Sequence, residues 1–310
     1  VPAPPSALRL RFSEPLDRSA TRIEVLDERG SRVELGELAV GPPNDRLLTV
    51  ELSNLTEGVY TVRWWSLSQV DGHRWQGTYR FGVGRTPPPP EGTAPPLPSA
   101  LEVALQWLAI TATSLVLGGL AFRVWALEPV LARLGAAPRV LRLFGRAQTA
   151  LLTVLALVSA AEAFNSYGAF TPDVPGGATF AGIGKVGALA LLRLFLVPMI
   201  GYLAAPGGST AMALAFAALL VLTRAQAGHL ANGGLGPVLV DATHQLAAGT
   251  WLGGAAAFAL VMPVLLRERG AAAFAVGVRF GQLALACAGL AMVSGVAASW
   301  LLGLDPTRLT

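Results

Sequence analysis

Asp71-Gly72-His73 places a carboxylate and an imidazole two residues apart, between the alternating runs Val59–Ser66 and Trp75–Val83. Oxygen and nitrogen donors in that arrangement suit a divalent transition metal, copper above all. The chain has only three histidines in 310 residues. The other two, His229 and His244, flank the entrance to one apolar helix, and Asp241 precedes His244 by three residues. On a helix Asp241, His244, Ala248 and Trp251 share a face. Ionisable groups inside a membrane span are costly, which makes them functional candidates by default. Each has a plainer reading. Asp-Gly is a favoured hairpin turn pair, Asp241 and His244 can simply join helices, and His229 reads equally as a loop histidine or as a donor beside His244.

Composition fixes the setting for these residues. The chain is 53% hydrophobic and 14% charged, with a mean hydropathy of +0.54, which is too apolar for a soluble protein. Residues 1–86 carry 11 basic and 11 acidic groups and are ordinarily polar, whereas residues 99–310 carry 12 basic and 7 acidic groups, mostly between apolar stretches. The high pI therefore reflects membrane orientation. No basic face with interleaved aromatics is visible, so nucleic acid is not an expected partner. Cys287 is the single cysteine and lies in an apolar run, which excludes intrachain disulfides, thiolate clusters and CxxC redox chemistry.

Residues 8–83 alternate with period two at 8–12, 23–26, 32–35, 48–52, 60–64 and 78–81, with turn residues such as Asp27-Glu28-Arg29-Gly30 and Glu57-Gly58 between them. Short strands at this spacing predict an all-β Greek-key sandwich or barrel over residues 1–86. Residues 87–98 contain Pro87-Pro88-Pro89-Pro90 and Pro95-Pro96-Leu97-Pro98, an extended semi-rigid spacer. From residue 99 the chain predicts an all-α multi-pass transmembrane bundle, with about six apolar helices at 101–127, 143–164, 183–204, 209–224, 238–266 and 273–303.

Orientation follows the arginines. Arg123, Arg133, Arg139, Arg142 and Arg146 mark the first connection as cytoplasmic, and Arg267, Arg269 and Arg279 mark the fifth. The β-domain, the 165–182 and 225–237 loops and all three histidines are then expected on the outer face of the membrane. The four methionines, Met199, Met212, Met262 and Met292, form no stripe and read as packing. Arg193, near mid-span, is expected to pair with Glu162 or Asp241.

The string from Gly58 to Trp64, followed by Ser66-Leu67-Ser68-Gln69-Val70-Asp71-Gly72-His73 and Gly77-Thr78-Tyr79-Arg80-Phe81-Gly82-Val83, with Phe12-Ser13-Glu14-Pro15 upstream, resembles the CopC family of periplasmic copper-binding β-sandwich proteins. The resemblance covers nearly all of residues 1–86. It implies that Asp71 and His73 are Cu(II) ligands, joined by a histidine at the mature N-terminus. No such histidine lies in this segment, so the chain is expected to continue ahead of Val1. Glu14 reads either as a solvated charge or as a group orienting a ligand. The segment has no methionine for the Met-rich Cu(I) site of some relatives.

His244-Gln245-Leu246-Ala247-Ala248-Gly249-Thr250-Trp251-Leu252-Gly253-Gly254 similarly resembles a segment of CopD, the membrane partner often fused to CopC, and Arg279-Phe280-Gly281 fits that family too. CopD-type domains carry further helices, so sequence beyond Thr310 is also expected. A CopC/CopD fusion implies Cu(II) capture outside, transfer to a membrane domain for copper transport or resistance, and periplasmic copper carriers as partners. Two rival classes remain open. Paired histidines near one membrane face suit a bis-His haem for electron transfer, and a copper sensor or scaffold needs binding without transport. No Ser/His/Asp constellation, paired carboxylates or phosphate-cradling loop points to an enzyme.

Overall fold

The computed structural model describes residues 1–18, 21–41, 45–69, 74–87, 100–168, 184–226, 230 and 234–301. The chain divides into two compact units, one made of Val1–Ser99 with Gly168–Val186 and the other of Ala100–Tyr167 with Gly187–Thr310.

In the β-domain, alternation places every second side chain inward. Strands β1 (Ala7–Arg11), β2 (Arg22–Leu26), β3 (Leu35–Gly41), β4 (Leu47–Leu52), β5 (Gly58–Leu67) and β6 (Arg74–Val83) form two antiparallel three-stranded sheets, ordered β1-β4-β3 and β2-β5-β6. Leu8, Val50 and Leu52 from the first sheet meet Val25, Tyr60, Val62 and Val83 from the second in one core. The sandwich-like arrangement predicted from the alternation is present.

One strand differs from its predicted position. Residues 32–34 are not part of a strand, and β3 begins only at Leu35 and runs to Gly41. The Asp27 carboxylate accepts from the Arg29 and Ser31 amides, and Gly30 takes a positive φ of 77°, so the turn extends further along the chain. The β3–β4 ladder then shifts register between Leu35 and Leu38. That bulge, beside Gly36, breaks the period-two pattern that would have advertised the strand.

The helical unit contains α1 (Ala100–Phe122), which continues through a wider π-type turn (Arg123–Leu127) into α2 (Glu128–Leu134). It also contains α3 (Pro138–Gly168), α4 (Gly184–Ala204), α5 (Thr210–Ala225), α6 (Leu235–Glu268) and α7 (Gly270–Leu301). Arg269 alone separates α6 from α7. Among the described residues, five helical stretches are long and apolar enough to cross a membrane: 103–134, 138–164, 187–204, 235–268 and 270–301. The apolar α5 has 16 residues, about 24 Å, and so is shorter than the ~30 Å hydrocarbon core.

Among the described residues, two large apolar clusters and a smaller one of Ala225, Val238 and Ala242 hold these helices. Phe122, Phe258 and Phe280 form an aromatic group with centroid separations of 5.0–6.3 Å. It lies in the cluster that joins α1, α3, α6 and α7. The second cluster packs Leu117 and Leu120 against Leu155, Leu196, Ile200 and Leu220. Helices α1 and α6 meet backbone to backbone. A side chain at Gly118 would overlap the backbone at Gly253 and Gly254, and one at Gly253 would overlap Ser114. The Gly253-Gly254 pair is therefore a packing seam, as small residues are in other membrane helix contacts.

Candidate metal centre

The β5–β6 ladder runs to its last pair, Leu67 with Arg74, so the connection that follows contains Asp71-Gly72-His73. Asp71 and His73 lie outside the described residues. The strand leading to them is pinned from one side. Leu16 bridges Ser68, the Asp17 amide donates to the Leu67 carbonyl at 2.8 Å, and the Gln69 amide donates to the Pro15 carbonyl at 2.9 Å. The Gln69 side-chain Nε2 adds a bond of 2.6 Å to the Leu16 carbonyl. These contacts tie the approach to Asp71-Gly72-His73 to the segment that carries Phe12-Ser13-Glu14-Pro15.

Beside this stem is a cleft of about 270 Å³ lined by Phe12, Ser13, half-buried Glu14, Trp64, Ser68 and Gln76, among others. The Trp64 ring occupies the space that a side chain at Gly77 would fill, which explains a glycine in the middle of β6. The Tyr79 ring lies 6.1 Å from Trp64 and 6.4 Å from Phe81. Burial among these rings pushes the Tyr79 phenol up to about 12. Trp64, Tyr79 and Phe81 thus give the sheet beside the cleft an apolar face, while Ser13, Glu14, Ser68 and Gln76 supply oxygen and amide groups on its rim.

In the helical unit His244 is half-buried on α6 and faces α7. Its Nδ1 lies 2.9 Å from the Ala291 carbonyl oxygen and 3.4 Å from Ser294 Oγ. Asp241 sits one turn earlier, and its Oδ2 accepts from Gln245 Nε2 at 3.0 Å. Trp251, further along the same face, is exposed. His229 lies outside the described residues. Among the described residues, no group of three or more His, Cys, Asp or Glu side chains converges.

Arg193 takes the partner expected of it only in part. Its Nε donates to Thr223 Oγ1 at 3.1 Å and its Nη2 to the Thr223 carbonyl at 2.8 Å, with Glu162 Oε2 further away at 3.9 Å. Glu162 lies 3.4 Å from Arg224 Nη1, and Arg224 Nε donates to Thr113 Oγ1 at 3.2 Å. Asp241, the alternative partner, is engaged with Gln245 instead. The cluster ties α1, α3, α4 and α5 through charge-assisted bonds. Arg224, Thr113 and Thr223 were not singled out from the sequence. Only the isolated charges in apolar text marked the cluster, and threonines carry no such signal.

Residues 1–84 match the CopC domain family model. The chain is 27% identical to the copper transport protein CutJ of Bacillus subtilis (strain 168), an alignment that covers 94% of this chain and 57% of that protein. The chain thus spans little more than half the length of this relative. Among solved structures, CopC from Methylosinus trichosporium OB3b is 32% identical over 27% of this chain and 79% of its own, with a TM-score of 0.25. PcoC, a copper resistance protein from Escherichia coli, is 26% identical over 26% of this chain and 85% of its own, with a TM-score of 0.24. Residues 1–84 are thus similar to CopC domains, and the alignment with CutJ extends into the helical unit that follows.

Proposed function

We propose that this protein binds copper outside the cytoplasm and delivers it to its own membrane domain, for copper transport or resistance in the bacterial cell envelope. The observation that carries the reading is the CopC domain match over residues 1–84, a span that includes Asp71 and His73. In this reading residues 1–86 are the copper-binding domain, 87–98 a proline-rich spacer and 99–310 the membrane domain. The β-domain faces the periplasmic or extracellular side.

Asp71 and His73 hold Cu(II) through a carboxylate oxygen and an imidazole nitrogen, donors matched to that ion. Glu14, on the segment that pins the stem of their loop, orients a ligand through hydrogen bonding. Copper then passes by ligand exchange to His229, Asp241 and His244. His244 suits the receiving role because one ring nitrogen is engaged by Ala291 and the other remains for a metal. The cation is the cargo, and the protein supplies donors whose exchange moves it.

The test is copper accumulation and copper tolerance in cells expressing the full chain, its H244A variant or the D71A/H73A pair, at matched protein levels. Loss of accumulation or tolerance in both variants supports the reading. Unchanged copper phenotypes in both would overturn it. A Soret band in the purified protein would redirect His229 and His244 to haem ligation, and retained copper binding with no flux into vesicles would leave a sensor or scaffold.

A further inference from the structure

The contacts of His244 decide more than its location. An imidazole presents two nitrogens, and which one carries the proton is set by what the other groups demand. A backbone carbonyl can only accept, so the 2.9 Å contact from Ala291 oxygen requires a proton on Nδ1. Ser294 Oγ agrees with this. Its hydroxyl donates to the Leu290 carbonyl at 2.6 Å, leaving its lone pairs to face Nδ1 at 3.4 Å. Both neighbours therefore ask for a proton on Nδ1, and in the neutral ring that leaves the lone pair on Nε2.

The ring reaches these partners because α7 has a glycine one turn beyond Ala291. A Cβ on Gly295 would stand 3.1 Å from His244 Cε1 and 3.2 Å from Nδ1. Those distances are tight enough that the ring would have to give by a few tenths of an ångström. Ser294 and Gly295 follow Ala291 by three and four residues, about one turn, so the three form a shallow socket on one face of α7. By contrast, Gly289 on the same helix has nothing within 4 Å of its would-be Cβ, so glycine is not required there by any contact.

We propose that Ala291, Ser294 and Gly295 are positioning residues that lock His244 as the Nδ1–H tautomer and so commit Nε2 to binding a borderline metal ion such as copper. The metal half of this statement rests on the function proposed above, whereas the tautomer half does not. A ligating imidazole anchored through its other N–H to a carbonyl is the arrangement that fixes the ring's tautomer and orientation. The carbonyl comes from a neighbouring helix, so the relative placement of α6 and α7 governs the readiness of the donor.

Nitrogen-15 NMR of histidine-labelled full-length protein in nanodiscs, without metal, tests the tautomer directly, with H244Q assigning the signals. The expected spectrum has a protonated Nδ1 and an unprotonated Nε2 for His244. A protonated Nε2, or an average of both forms, overturns the proposal. Competition titration with copper, with every variant carried in the D71A/H73A background so that only the membrane site is read, then tests positioning. G295A and G295V are expected to weaken binding in graded fashion, G295V by about tenfold or more, and to release the single tautomer, while G289A changes neither. If G295V leaves both tautomer and affinity like those of G289A, the socket has no such role. If the tautomer is as expected but H244Q binds copper like the parent, the socket stands and the copper reading of His244 fails.

Discussion

Arg193 spends two of its guanidinium nitrogens on a single residue, Thr223, reaching its hydroxyl at 3.1 Å and its carbonyl at 2.8 Å. This fork joins α4 to the end of α5, and it explains how a cation is tolerated in an apolar helix. T223V removes the hydroxyl but leaves the carbonyl, so it is expected to cost about 1–2 kcal/mol. R193M removes both bonds and the cation facing Glu162, and is expected to cost more, about 3 kcal/mol. Thermal unfolding in detergent, read as the order parent, T223V, R193M, checks this. Equal stability of all three would mean that the fork contributes nothing.

Backbone contact between α1 and α6 gives a sharper stability prediction. G118A places a methyl group against the backbone at Gly253 and Gly254, and is expected to cost about 1–3 kcal/mol through overpacking. G145A on α3 is the matched control, since nothing lies within 4 Å of its would-be Cβ. It should leave the melting temperature unchanged or raised, because alanine is the better helix former.

Copper binding in the β-domain is predicted to depend on the loop beyond the pinned stem. D71N and H73Q should each lower the Cu(II) affinity of the full chain about tenfold or more, equivalent to about 1.4 kcal/mol. The electron paramagnetic resonance spectrum should change with each. Competition titration against a copper chelator gives the affinity, and parental affinity in both variants would remove these residues from the site.

Tyr79 provides a pH signature. Its phenol ionises near pH 12 in the folded domain against an ordinary value of 10.0. Between those values the unfolded chain loses the proton first, so the folded form binds more protons and stability falls as pH rises through this window. Below pH 10 the contribution is fully present. Y79F should remove an absorbance transition with a midpoint near 12 and flatten the loss of stability between pH 10 and 12. Parental slope in Y79F would show that the phenol is not the cause.

The fold was largely legible because its periodicities are plain. Val25, Leu48, Val50 and Val62 alternate with exposed or half-buried neighbours, and the apolar stretches after residue 99 are long. β3 escaped because Gly36 and the bulge before Leu38 interrupt the alternation. The extension of α1 into α2 escaped for another reason. Pro129 reads as a helix stop, yet it follows the wider π-type turn directly, and the Trp125 carbonyl that its missing N–H cannot serve accepts from Arg279 Nε at 2.7 Å. His244 stood out as an ionisable group in apolar text. Its partners did not, because a carbonyl, a serine and a glycine on α7 leave no charge pattern, and their convergence depends on helix packing that periodicity does not encode.

Arg269 is the whole junction between α6 and α7, and it donates to the Leu134 carbonyl at 3.0 Å, so the pivot of this pair is anchored. His244 and Ser294 lie at equal chain distances from that pivot, each about 37 Å along its arm. At such leverage, splaying the two arms by on the order of 2° would lengthen the His244–Ala291 bond by about 1 Å and break it. The pair is built like tweezers hinged at one end, with the imidazole at the tips.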